Sequence, residues 1–446
     1  MRSLYNILFI FFFLLSSPYY FLKMWRRGNW RNGFGQRFGE YDSKVRQSLT
    51  NRHILWLHAV SVGEMNVCLQ VIHALEPRMP NLKILVSTTT TTGMGELQKR
   101  LSPNITKIYY PVDRRKYVVN ALAALHPHAI ALVESEIWPN MIWEASTRGI
   151  PLFLLNARLS PRSYPRYLKL RFLFGRLFGA FAAVGAQNKD DAGRLRELGC
   201  HEEAVHVAGS LKFDAAVGAV KALASSQARC NVKEILALLG VKKDAPILVA
   251  GSTHAGEERL LAGMLPKLRS RFPGLFLILV PRHFERCAAV QEELKSIGLK
   301  FAVRSEVDLR TTTDPVDCLL VNTTGELMNF YESATVVFVG KSITAKGGQN
   351  PIEPAALGKP VVFGPNMQNF ADVVEIFMKA RAAAQVKNAT ELETVLAELF
   401  SNPERRAELG RNARQMVEAN CGAVDRTVDM IVKHLAERDF YVAPKG

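Results

Sequence analysis

Lys346 to Pro365 reads KGGQNPIEPAALGKPVVFGP and joins two adjacent glycines, an Asn-Pro step and a carboxylate at the start of a helical pattern. Gly347 and Gly348 let the backbone approach a ligand with no Cβ in the way, and Pro351 carries the φ favoured in a first helical turn. Free N–H groups at such a start face an anion, while the Glu353 carboxylate, beside Asn350, suits the hydroxyls of a ribose. Gly358 then reads as the cap and Val361 to Phe363 as the next buried strand. The glycines alone fit an ordinary loop, helix and strand. Gly-Gly, Asn-Pro and Glu together favour a nucleotide ligand.

Three further clusters follow apolar runs in the first half. His58 to Glu64, HAVSVGE, places Glu64 on a Gly-containing turn that enters a helix, where a carboxylate serves as general base or as helix cap; these residues alone favour the cap. In VESEIWPN, Glu134 and Glu136 flank a serine ahead of Trp138. A solvated capping loop seldom spends a tryptophan, so Glu136 is a candidate for binding acceptor hydroxyls. NARLSPRS contributes Arg158, Ser160 and Arg162, and the run Arg166 to Phe178 alternates basic with apolar residues. That run fits an anionic interface or a buried helix with a basic face.

In the second half, Ser252 and Thr253 follow one apolar run, and Arg282 and His283 follow the next. Hydroxyls beside a guanidinium make a phosphate cradle, to which Lys212 can add a point charge. Gly325, Glu326 and Leu327 open another helix, where backbone amides and a Glu cap can meet a base or phosphate. No Gly-x-x-x-x-Gly-Lys-[Ser/Thr], Gly-x-Gly-x-x-Gly, His-Glu-x-x-His or Gly-x-Ser-x-Gly motif occurs, which disfavours kinase, ATPase, dehydrogenase, zinc-protease and lipase readings.

The elements that must carry these residues alternate between short strands and longer helices. Strands are expected at 54–57, 83–87, 129–133, 152–155 and 182–186, and again at 247–250, 275–280, 318–321, 336–339 and 361–363. This alternation predicts an α/β protein with two Rossmann-like domains of parallel sheet. Ligands of such sheets bind beyond the carboxyl ends of the strands, so the expected site is a cleft that the two domains face. Residues 1–25 are expected to anchor the chain, 26–215 to form the first domain, and 216–446 the second, including all the C-terminal helices. The stretch 214–244 predicts helix rather than a disordered tether.

The formal charge of +16 calls for anionic company. Tyr5 to Leu22 is nearly unbroken in its apolar character and is followed by Lys23, Arg26, Arg27 and Arg31. Basic residues after the run, with no small-x-small cleavage site, favour an uncleaved anchor over a signal peptide and keep the remainder cytoplasmic. Its length is marginal for crossing a bilayer. Six scattered cysteines without a Cys-x-x-Cys pair fit neither a zinc site nor a disulfide framework.

In order and spacing, HAVSVGE, VESEIWPN, NARLSPRS, GSLKFD, GSTHAGEE, LVPRHFER, TGELMNFY and GGQNPIEPAALGKPVVFGP resemble the signatures of the bacterial Kdo (3-deoxy-D-manno-octulosonic acid) transferases, from the anchor to about Phe370. The resemblance implies a GT-B glycosyltransferase with an N-terminal membrane anchor helix, at the inner face of the cell inner membrane. It would move Kdo from CMP-Kdo to the lipid A precursor, lipid IVA, with inversion. Glu64 would be the catalytic base and Glu136 a second essential acid, with Ser61, Gly63, Glu134, Arg158, Ser160 and Arg162 on the acceptor side. Lys212, Ser252, Thr253, Arg282, His283, Gly325, Glu326, Leu327, Gly347, Gly348, Asn350 and Glu353 would hold the donor. A single donor phosphate needs no metal clamp, so neither cofactor nor metal is expected, and an anionic membrane surface rather than nucleic acid explains the charge. Lys341 and Gln349 stand where the family usually has glycine and histidine, and Asn322 where it has an acid. The competing readings are a GT-B transferase using a nucleoside-diphosphate sugar and a lipid-linked acceptor, and a non-catalytic lipid-binding scaffold.

Overall fold

The computed structural model describes residues 2–26, 31–160, 163–225, 230–307, 315–438 and 440–443. Arg27 and Arg162, singled out above, lie outside them. The chain divides into two compact units, Met1–Ala215 with Cys421–Gly446, and Ala216–Asn420.

In the first unit, α1 (Arg2–Arg26) and α2 (Ser43–Leu49) precede a run of strand and helix. β1 (His53–His58) leads to α3 (Val62–Leu75), β2 (Leu82–Thr88) to α4 (Thr91–Arg100), and β3 (Thr106–Tyr109) to α5 (Arg115–Leu125). β4 (Ala129–Val133) leads to α6 (Pro139–Thr147), β5 (Leu152–Ala157) to α7 (Tyr164–Lys169) and α8 (Arg171–Phe178), and β6 (Ala183–Ala186) to α9 (Lys189–Leu198) and β7 (Val205–Val207). The sheet is parallel, in the order β3-β2-β1-β4-β5-β6-β7. Ile54 and Trp56 enter the core on one face and Leu55 and Leu57 the core on the other. Burial on both faces explains the continuous apolar runs.

α10 (Leu211–Ser225) starts in the first unit and ends in the second. There α11 (Val232–Leu238), β8 (Ile247–Thr253), α12 (Glu257–Arg271), β9 (Phe276–Pro281) and α13 (Cys287–Ser296) are followed by β10 (Phe301–Val303), α14 (Arg304–Val307) and β11 (Cys318–Leu320). α15 (Leu327–Ser333), β12 (Val336–Val339), α16 (Ile352–Ala356), β13 (Val361–Phe363), α17 (Ala371–Lys379), β14 (Ala384–Gln385), α18 (Ala389–Ser401) and α19 (Pro403–Ala419) complete it. Its parallel sheet runs β10-β11-β9-β8-β12-β13-β14.

The ten strands expected from sequence are all present. Four strands were not expected, β3, β7, β10 and β14, and these are the four sheet edges. An edge strand has one neighbour and is short, so it lacks the long apolar run that marks an inner strand.

The last helix, α20 (Ala423–Ala436), departs from expectation by packing with the first unit. Val428, Ile431 and Leu435 form its apolar stripe and enter the same core as α3 and the β1 residues Leu55 and Leu57. Its N-cap, Gly422, has no side chain to satisfy the first amides. Asp214 does so instead, accepting from Gly422 N at 2.8 Å and Ala423 N at 3.0 Å. Asp214→Ala should cost about 1–2 kcal/mol. It should also speed hydrogen exchange across 423–436 while leaving α3 protected, as followed by mass spectrometry; unchanged exchange in α20 would show that its apolar stripe alone holds it.

Candidate functional site

Because both sheets are parallel, each strand delivers the segment after it to one edge. β1 and β4 are direct neighbours, so Glu64 and Glu136 arrive side by side although 72 positions apart in the chain. Ser61 is the N-cap of α3 and its Oγ accepts from Glu64 N at 3.2 Å. The Glu64 carboxylate reaches back, one oxygen accepting from Ser61 Oγ and the other from Val60 N, both at 2.7 Å. Glu64 is thus a reciprocal helix cap, as its local sequence favours, and is buried. The cap holds the carboxylate in one place, with Gly63 exposed beside it.

Glu136 accepts from Trp138 Nε1 at 2.9 Å. Burial first, then the negative charge of Glu64, raises its carboxyl to about 7. The Trp138 ring lies 5.5 Å from that of Tyr110, which stacks on His58 at 3.8 Å. Burial pushes His58 down to about 3, so this imidazole is neutral. Glu134 sits in the left-handed region at φ 57, and its carboxylate accepts from Asn156 Nδ2 at 3.4 Å. Asn156, also left-handed at φ 52, accepts from Leu211 N through its side chain and from Gln187 through its carbonyl. It ties the exit of β5 to the start of α10, a role its motif did not reveal. Ser160 is spent locally on Ser163, whose N–H and hydroxyl it meets at 3.1 and 2.8 Å. Arg158 is half-buried after β5. α7 and α8 answer to both earlier readings: Leu177 and Phe178 are buried in the core, whereas Leu168, Leu170 and Phe172 are exposed.

In the second unit Asn350 Nδ2 donates to Glu353 at 3.1 Å and its Oδ1 accepts from Ile352 N. One of the amides expected to meet a ligand at the start of α16 is therefore taken by Asn350 itself. Burial raises the Glu353 carboxyl, against the opposing effects of Asn350 and the Arg282 charge, so these three are gathered together. Gly348 has φ 74, and a Cβ there would lie 2.5 Å from Met367 Sδ, so only glycine fits. A Cβ on Gly347 would lie 3.4 Å from Lys341 Nζ, which puts the ammonium over this loop. Lys341 takes φ 57, in the left-handed region that glycine adopts freely. Burial and the Lys341 charge push His254 down, and His254 meets Gln349 at 3.3 Å and the exposed His283 ring at 5.7 Å.

Other expected donor residues are placed differently. Thr253 is fully buried and its hydroxyl donates to Glu258, so it lines no cradle. Ser252 is half-buried in the left-handed region at φ 55. Glu326 stands at the N-cap of α15, ahead of Leu327, but makes no side-chain cap. Its carboxylate instead pairs with Arg304 at 2.9 Å and accepts from Thr323. Gly325, at φ 87, borders open space. Lys212 belongs to the first unit, at the start of α10.

Sequence reasoning passed over Glu257. It is fully buried and accepts four backbone N–H groups, from His254 at 2.9, Lys341 at 2.7, Ser342 at 2.9 and Ile343 at 3.1 Å. Glu258 beside it is also fully buried and pairs with Arg286 through both oxygens. Two adjacent acids opening a helix directly after a strand were the available signal. The first unit also holds a concavity of about 590 Å³, lined by Asn32, Gln36, Thr91, Thr92, Gln98, Lys107 and Tyr109 among others.

The raised Glu136 carboxyl makes a signed prediction. The folded chain retains a proton that the unfolded chain releases between the ordinary value of 4.5 and about 7, so Glu136 erodes stability as pH rises through that window. Glu136→Gln should leave thermal stability nearly unchanged at pH 5 and raise it at pH 8 by about 1–2 kcal/mol. Equal effects at both pH values in thermal unfolding would refute the shift.

Comparison with known proteins bears on the family and the fold. Residues 32–215 match a family described as 3-Deoxy-D-manno-octulosonic-acid transferase (kdotransferase), and residues 306–416 match Glycosyl transferases group 1. A 3-deoxy-D-manno-octulosonic acid transferase of Bordetella pertussis is 32% identical over 93% of this chain and 96% of its own. One of Haemophilus influenzae is 29% identical over 91% of this chain and 92% of its own. Among solved structures, a UDP-GlcNAc 2-epimerase of Neisseria meningitidis bound to UDP-GlcNAc has a TM-score of 0.58 at 14% identity, covering 86% of this chain and all of its own. At that identity it speaks for the fold alone, two Rossmann-like units of the GT-B class. With a relative 32% identical over nearly its whole length and a kdotransferase match over residues 32–215, the chain belongs to the Kdo transferase family of glycosyltransferases.

Proposed function

We propose that the protein transfers Kdo from CMP-Kdo to the lipid A precursor, lipid IVA, with inversion at the anomeric carbon and without a metal. The observation that carries this reading is the buried Glu64 carboxylate, fixed by Val60 N and Ser61 Oγ beside Glu136. In this reading the first unit binds the acceptor and the second the donor. The acceptor hydroxyl attacks the anomeric carbon as its proton passes to Glu64, and the bond from that carbon to the phosphate oxygen breaks to release CMP. Glu136, with a carboxyl near neutrality, can hold or donate a proton to the acceptor, and Trp138 orients it. Ser61, Gly63, Glu134, Arg158, Ser160 and Arg162 complete the acceptor side.

Asn350, Glu353 and Arg282 form the core of the donor group, with Gly325, Glu326, Leu327, Gly347, Gly348, Ser252 and His283 around it. Arg282 and Lys212 offset the charge that develops on the leaving cytidylate. A carboxylate with a raised pKa at Glu353 suits hydrogen bonding to sugar hydroxyls. The amides, hydroxyls and Lys107 around the 590 Å³ concavity suit a phosphorylated sugar headgroup. An anionic lipid acceptor and the basic composition both support a seat at the cytoplasmic side of the inner membrane in this reading.

The test uses membranes holding the full chain, CMP-Kdo and lipid IVA, with products weighed by mass spectrometry. Glu64→Gln should lower transfer at least ~100-fold, the scale of a lost general base, while circular dichroism and membrane association stay unchanged. CMP, and not UDP, should protect the protein against thermal unfolding. Protection by UDP alone would point to a nucleoside-diphosphate donor. Undiminished turnover in Glu64→Gln would remove Glu64 as the base.

A further inference from the structure

We infer that α1 lies in the plane of one membrane leaflet, seated along the first unit, and does not cross the bilayer. By length and composition alone α1 qualifies as a span. Its contacts say otherwise. At its N-terminal end Arg2 pairs with Glu144 of α6, Tyr5 donates to Asp113 at 2.8 Å, and Asn6 accepts from Asn140 of α6 at 2.8 Å. Tyr5 also meets the Trp143 ring edge-on at 5.7 Å. These partners are part of the globular unit: Asp113 and Asn140 are fully buried, and Asp113 accepts the first amides of α6.

The other end of α1 returns to the same unit. The Phe21 ring lies 6.4 Å from Phe34, Phe34 lies 5.2 Å from Phe38, and Phe38 lies 5.2 Å from Tyr117 on α5. Asp113, the partner of Tyr5, is just before α5. Tyr5 and Phe21 are roughly 24 Å apart along the helix axis, so one unit receives both ends of a helix that runs across its surface. A span would put these ends in opposite leaflets and draw Asp113, Glu144 and the start of α6 through hydrocarbon, at prohibitive cost.

The helix surface divides accordingly. Tyr5, Asn6, Phe9, Phe13, Ser16 and Ser17 form a half-covered stripe at helical spacing. Leu4, Leu8, Phe11, Phe12, Leu15 and Tyr19 are exposed, Leu15 to 82%. A second apolar patch lies on α7 and α8, and α8 packs on α6, the helix that receives α1. There Leu168, Leu170 and Phe172 are exposed among the exposed Arg166, Lys169 and Arg171. Apolar side chains rimmed by cations match an anionic lipid leaflet, which is the partner we assign to this face. The inference concerns seating and is independent of the reaction.

Sealed right-side-out vesicles carrying the full-length Ser3→Cys chain, with Cys230 and Cys421 replaced by serine, would be treated with a membrane-impermeant maleimide. In-plane seating predicts no labelling until the vesicles are opened; labelling of sealed vesicles overturns it. Nitroxides at Leu8, Phe12, Leu15 and Tyr19 supply a second readout through collision with oxygen and with a nickel chelate. Equal shallow depth at all four supports the inference, and a maximum at mid-helix overturns it, whatever the maleimide result. Arg166→Glu, Lys169→Glu and Arg171→Glu combined should weaken association with phosphatidylglycerol vesicles at least ~10-fold, given about 1 kcal/mol per basic residue near an anionic surface. Unchanged association would remove α7 and α8 from the seat.

Discussion

Two carboxylates that repel each other are held on neighbouring strand exits, and the first unit is organised around keeping them there. The pairing of β1 with β4 sets their separation. Ser61 and Val60 N grip Glu64, and Trp138 grips Glu136. Without those donors, two buried like charges would move apart or take up protons at the folded state's expense. Burial, and then the charge of Glu64, raises the Glu136 carboxyl.

The second unit solves a different problem, which is how to expose backbone without collapsing. The segment after β12 has no regular structure between Gly340 and Pro351, yet three of its amides, with that of His254, converge on Glu257. A buried carboxylate with four such partners resists displacement, so the loop that carries Gly347, Gly348 and Asn350 is set on a rigid footing. Lys341 accepts a left-handed backbone within this frame and gains a position over Gly347.

The anchor and the last helix show contacts distant in sequence overriding simple segment assignment. α1 is apolar enough to be read by itself as a span, but Tyr5, Asn6 and Arg2 are polar on one face and find polar partners on α6 and at Asp113. α20 continues the helical C-terminus, but its stripe of Val428, Ile431 and Leu435 fits the core of the first unit. In both cases the decisive surface is a stripe, whose partner is not written in the stripe.

The inner strands, the two α/β halves and the candidate acids and glycines were legible because each leaves a local mark: a doubly buried strand is a continuous apolar run, and a loop after it begins where that run stops. The Ser61 and Glu64 cap was legible for the same reason, since its members are three residues apart. What the sequence alone determined was therefore the class of fold, the order of its inner elements and the family. Tertiary structure alone decided that β1 lies beside β4, which joins Glu64 to Glu136, and that Thr253 is turned into the core by Glu258. It also decided the four edge strands, the support from Glu257, and the sides on which α1 and α20 rest. Apart from the Thr253 and Glu258 pair, five residues apart, these depend on partners tens to hundreds of residues away, and the energy of such a contact resides in the pair, so neither residue's own neighbourhood in the chain announces it.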